Sequence, residues 1–153
     1  MRALEPWVVA PLQTFINESA SRLILLMTTA GQVVAQHGFS RSVEVMTAAA
    51  LGAAIVASTE ELSRIMGVAR FGAVVHNGAR QSCMLAAFGT PRGRWIGLVV
   101  FGAETSVGIV QLFFDQMVEE LVSAAPKEQP PPPMLAENFE DELNTSLREL
   151  FGR

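Results

Sequence analysis

Nucleophile, base or metal-ligand chemistry in this chain would have to draw on a small set: two histidines, His37 and His76, and a single cysteine, Cys83. Each histidine stands near the end of an apolar run, with no second ligand at the spacing a metal site needs. Cys83 falls inside a strand-like pattern, where a thiol packs as a small hydrophobe. A Cys83–His76 pair across a hairpin is the one nucleophile–base arrangement the pattern offers. No G-x-x-x-x-G-K-[ST] occurs, so the chain is not itself a P-loop nucleotide hydrolase. No cofactor, metal or catalytic residue is expected. Arginine offers a different chemistry, because one inserted into a partner's active site stabilises phosphoryl transfer. Arg92 and Arg94 in GTPRGR, and Arg41, are the exposed candidates, against the simpler reading of solvated loop charges.

The element that dominates the arrangement is VEVMTAAALGAAIVASTEELSRIM, Val43 to Met66. It reads as a helix capped at its start by Ser42 and stopped by Gly67. Positions three and four apart share a face, so Ala48, Leu51, Ile55, Leu62 and Met66 form one stripe, expected to lie on a sheet. The opposite stripe is Met46, Ala50, Ala53 and Ala57, then Glu61 and Arg64. A surface helix should carry charge on that side throughout, so something other than water is expected to cover it.

Around this helix, Pro6 to Ser19 reads as a short amphipathic helix with Val8, Leu12, Phe15 and Ile16 on one side, which Pro11 must start, kink or interrupt. RLILLMTT from about Ser21 is apolar on both faces, as a central strand is. Ala30-Gly31 turns it into the shorter strand QVVAQH. After Gly67, FGAVVH leads into Asn77-Gly78, suited to a two-residue hairpin, with Arg80 to Phe88 as the return strand. Gly89 to Arg94 reads as an exposed loop, and WIGLVVF, Trp95 to Phe101, as a central strand beside the first. Ser106 is placed to cap a last helix with the stripe Val110, Phe113, Phe114, Met117 and Leu121, ended by Pro126.

The order helix, hairpin, helix, three-strand meander, helix predicts an α+β domain over residues 1–125, with one five-stranded antiparallel sheet flanked by helices. Residues 126–134 form a Pro-rich linker, extended at about 3 Å per residue. Residues 135–153 recover helical periodicity, with Leu135, Phe139, Leu143, Leu147, Leu150 and Phe151 against acidic positions, and read as an amphipathic helix that binds a groove or as a disordered tail.

Composition sets the outer bounds. A length of 153 residues suits one domain with a real core. A net charge of -4 gives no reason to expect nucleic acid or an acidic membrane surface as partner. The hydrophobic fraction, 50%, is high for a single domain and suits an oligomer. Val45 to Thr59 is free of charge but falls short of the roughly 20 residues that span a bilayer, so no membrane insertion is expected. A lone cysteine suits a reducing cytoplasm.

Three stretches carry a resemblance. FGAETSVGIVQL, Phe101 to Leu112, RFGAVVHNGARQS, Arg70 to Ser82, and the tail LAENFEDELNTSLRELF are similar to the roadblock / dynein light chain domain family, and within it to the bacterial MglB-type GTPase regulators. The chain departs from that pattern at Gly102, where the family usually has Asp, and at Ala54-Ile55. The resemblance implies a profilin-like α-β-β-α-β-β-β-α fold and a homodimer joined through the central helices and the strand from Phe71 to His76, with Met46, Ala50, Ala53, Phe71 and Val74 at the seam. It implies a Ras-like small GTPase of the MglA type as partner, bound through Ala53, Ala57, Glu61 and Arg64. By the same resemblance Phe139, Leu143 and Leu147 of the tail dock on another face of the GTPase, where they favour exchange. The expected role is stimulation of GTP hydrolysis in cell polarity or motility, in the cytoplasm or at a cell pole, without an inserted arginine. The alternative is a scaffold that dimerises and gathers partners without acting on GTP hydrolysis.

Overall fold

The structure is a computed structural model and describes residues 2–3, 5–39, 43–126 and 143–151. In chain order it contains β1 (Arg2–Ala3), α1 (Val9–Ser19), β2 (Leu23–Thr28), β3 (Val33–Gly38), α2 (Val45–Met66), β4 (Val74–His76), β5 (Ser82–Thr90), β6 (Gly93–Phe101) and α3 (Val107–Ala124). Residues 143–150 form a further helical stretch. The strands lie in the order β1-β3-β2-β6-β5-β4, all antiparallel. The five expected strands are present; the two-residue β1, pairing Arg2 with Gln36, adds an edge that no periodicity announces.

Sequence explains the central pair. Leu23 to Met27 are all buried and pair with Ile96 to Val100, so β2 and β6 have apolar residues on both faces because helices cover both. On one side α1 and α3 enclose a core of Val8, Leu12, Phe15, Val110, Phe114, Met117 and Leu121. Gly97 makes this possible: a Cβ there would come within 2.5 Å of the Phe114 ring. Pro11 neither kinks nor breaks α1. A 3-10 turn over Pro6–Val8 leads in, and Pro11 sits in the first helical turn, where its missing N–H leaves no bond unmade. Within that turn Trp7 stacks on Trp95 of β6 at 5.4 Å and 14° and donates to the Glu5 carboxylate.

α3 starts as expected, with the Ser106 hydroxyl accepting from the Ile109 amide. At the end of α2, Gly67 takes a φ of +69° while its amide bonds to Arg64 and that of Val68 reaches back to Ser63. The start of α2 differs from expectation. Glu44 is the N-cap, accepting from the amides of Met46 and Thr47, and hydrogen bonds from the Thr47 side chain and amide hold its carboxyl below the usual range. Ser42 and Arg41 lie outside the described residues.

Two turns also differ. Asn77-Gly78 makes no two-residue hairpin: His76 pairs with Cys83, and neither turn residue has positive φ. The tight connection is instead at Thr90–Gly93, where the Thr90 hydroxyl accepts from the Arg92 amide and donates to the Gly93 carbonyl. The return strand accordingly begins at Ser82 and not at Arg80, and it runs on through Gly89 and Thr90 where a loop is expected. β4 starts at Val74 and not at Phe71.

Candidate functional site

The sheet accepts α2 through its smallest residues. Ala49, Gly52, Ala53, Val56 and Ser63 are the buried positions, at i, i+3, i+4, i+7 and i+14. A Cβ on Gly52 would stand 3.1 Å from Leu85 and 3.4 Å from Leu98, so the helix axis rides close to the sheet only because that position has no side chain. Against this face lie Leu23, Leu25, Met27, Leu85, Ile96, Leu98 and Val100.

The consequence is that most of the helix's large apolar residues point away from its own sheet; Val56 is buried on it, and Ala48 and Ile55 of the expected stripe are half-buried against it. Leu51 is 60% exposed, Leu62 50% and Ile65 69%, with Met46 and Met66 exposed beside them. This corrects the expected facing. Leu51, Leu62 and Met66 are not on the sheet side, and Ala53, at 7% exposure, is packed on the sheet and is not available to a second copy or a partner. The remaining expected contact residues of the helix, Met46, Ala50, Ala57, Glu61 and Arg64, do lie on the exposed side. Glu61 and Arg64 form an ion pair one turn apart, which lowers the Glu61 pKa and raises that of Arg64. By length and composition α2 would also suffice to cross a bilayer, although one of its faces is packed on the sheet.

Beside the exposed face runs the free edge of the sheet. Val74 of β4 is half-buried on the α2 side, and Phe71, just before the strand, is 42% exposed. In the C-terminal stretch Leu143 and Leu147 are exposed on a helical turn; Phe139 lies outside the described residues.

The other candidates are accounted for locally. Arg94 pairs with Glu60 of α2, and Arg92 lies 3.8 Å from Glu5, so both arginines of the tight turn are engaged within the chain. Cys83 does sit directly opposite His76 across the ladder, but burial pushes its thiol above the ordinary value, the reverse of what a nucleophile needs. His37 is on β3, and burial lowers its pKa. No group of His, Cys, Asp and Glu among the described residues could hold a metal ion. Gly102 leaves room for Arg22: a Cβ there would meet the Arg22 guanidinium, which is held by Glu104 at 2.8 Å.

No protein-family model and no curated protein matches the sequence. Solved structures do match the fold. MglB of Myxococcus xanthus superposes with a TM-score of 0.70 at 22% identity, covering 78% of this chain and 95% of that one. The gliding protein MglB of Thermus thermophilus gives 0.67 at 27% identity, covering 78% and 88%. A roadblock/LC7 domain from Streptomyces avermitilis gives 0.61 at 14% identity, covering 71% and 89%. The chain has the roadblock fold, and its structure is MglB-like.

Proposed function

We propose that this chain is a dimeric regulator of a Ras-like small GTPase of the MglA type, stimulating GTP hydrolysis, and that it works in the cytoplasm or at a cell pole in polarity or motility. The observation that carries the proposal is the outward face of α2, where Met46, Leu51, Leu62, Ile65 and Met66 are exposed although a sheet lies directly beneath the helix. An apolar surface of this kind on a folded domain marks an interaction site. A second copy takes the part around Met46 and Ala50 together with the β4 edge from Phe71 to Val74. The GTPase reads the part from Ala57 through Glu61 and Arg64. Ala53 contributes by letting the helix sit close to the sheet, not by touching either partner.

The division between domain, linker and tail follows from the same reading: residues 1–125 form the regulatory domain, 126–134 a spacer, and 135–153 a second GTPase contact through Phe139, Leu143 and Leu147 that favours nucleotide exchange. With Arg92 and Arg94 tied to Glu5 and Glu60, the regulator acts by binding the hydrolysis-competent arrangement of the GTPase more tightly than the resting one; a ligand shifts an equilibrium only by that difference.

The deciding experiment is GTP turnover by a co-encoded Ras-like protein with and without this chain. Ala57→Arg, on the exposed side of α2, leaves the circular dichroism spectrum unchanged and abolishes the stimulation. Stimulation by the variant at the wild-type rate would overturn the assignment. If deletion of the chain after Pro126 removed all partner binding and no stimulation were seen with either form, the protein would be a scaffold.

A further inference from the structure

The ladder between β4 and β5 stops early. Its last pair is Val74↔Leu85, while β5 continues to Thr90, paired on its other side with β6 along its whole length. From Ala86 onward the outer edge of β5 therefore has no strand against it among the described residues. Residues 70–73 run alongside as irregular chain. Between them and β5 opens a slot of about 290 Å³, lined by Val56 and Thr59 of α2, Met84 and Phe88 of β5, and Phe114 and Val118 of α3. Residues from helices on both sides of the sheet line it, because it lies where the sheet would otherwise be continuous.

We infer that residues 71–73 are a strap that closes this slot by extending β4 along β5. The register already present dictates the pairs, because continuing the antiparallel ladder from Val74↔Leu85 sets Ala73 opposite Ala86, Gly72 opposite Ala87 and Phe71 opposite Phe88. The side chains fit that register. Ala73, Val75 and Ala86 pack on the α1/α3 side and Ala87 on the α2 side. Alternation then places Phe71 on the α1/α3 side, beside Phe88 and Phe114. Those two rings already meet edge to face at 5.8 Å, so a third ring completes an aromatic cluster. Phe71, now 42% exposed, would be buried. In the observed conformation a Cβ at Gly72 meets nothing within 4 Å, so position 72 accepts the side chain needed for the test.

Closure has two effects. It satisfies backbone groups on the β5 edge with chain in place of water, and it lengthens the outer strand to Phe71–His76. A longer straight edge gives a second copy more backbone groups with which to pair. The inference bears on the proposed dimer but does not rest on the GTPase reading, since the experiment reads a single chain without any GTPase.

The test is cross-linking in a Cys83→Ser background. Gly72→Cys with Ala87→Cys should form an intramolecular disulfide about tenfold faster than Gly72→Cys with Ala86→Cys, whose side chains point to opposite faces in the closed register. Equal rates for the two pairs would overturn the strap. Hydrogen exchange on the wild-type chain provides a check free of mutation. In protein diluted until protection no longer depends on concentration, at least one amide within residues 71–73 should exchange about tenfold more slowly than free chain. Free-chain rates at all three would also overturn the inference.

Discussion

α2 and α3 cover opposite faces of the same sheet, and they meet it in opposite ways. α3 buries a stripe of large apolar residues, Val110, Phe114, Met117 and Leu121, although Ile109 and Leu112 stay exposed. α2 buries mainly small residues, Ala49, Gly52, Ala53 and Ser63 with Val56, while Leu51, Leu62 and Ile65 look out. An apolar stripe marks the face with most area to remove from water. For α3 the domain itself removes it. For α2 the domain takes the smooth side and leaves much of the larger area exposed, the face on which the proposed function rests.

That contrast can be broken most sharply in the α3 core. Phe114→Ala leaves a void over Gly97 and should destabilise the chain by about 3–5 kcal/mol, measured by denaturant unfolding. A loss of less than about 1 kcal/mol would show that α3 is not anchored by its large side chains. On the α2 side the reverse substitution is the damaging one. Gly52→Leu must push a side chain into Leu85 and Leu98 and should cost about 1–3 kcal/mol. The smallest effect is expected on the outward face: Leu51→Ala in dilute protein should change unfolding free energy by no more than about 0.5 kcal/mol. The same variant should flatten the rise of Tm with protein concentration, which reports association.

The helices, the central β2–β6 pair and the α3 core are legible in the sequence from periodicity, and for α3 the start cap agrees as well. Val110, Phe114, Met117 and Leu121 repeat at helical spacing behind a serine cap, and nothing competes with that assignment. The face of α2 is not legible in the same way. Its two stripes differ in side-chain size, and size points to the greater apolar area, which here lies mostly on the exposed side. Gly52, flanked at helical spacing by Ala49 and Val56, is the available signal, since a glycine inside a helix suggests close approach to another element. The two hairpins depart from expectation for a related reason. Asn77-Gly78 has the right turn chemistry, but the register His76↔Cys83 leaves a longer connection, whereas Pro91-Arg92 turns tightly with help from Thr90 and Gly93. For the candidate site, Met46, Ala50, Ala57, Glu61 and Arg64 fall on the exposed side because the outward phase includes them, while Ala53 shares its phase with Ala49 and Val56 and goes inward.

The stacked pair Trp7–Trp95 also determines what light can report about this molecule. The chain has two tryptophans and no tyrosine, so its near-ultraviolet fluorescence comes chiefly from one spot, where the turn before α1 rests on β6. Emission will follow the departure of that turn from the sheet and will be nearly blind to anything that settles on α2. A partner arriving at the outward face must therefore be tracked by its own chromophore or by a label placed on that helix, and the intrinsic signal serves as an internal witness that the opposite layer has stayed folded.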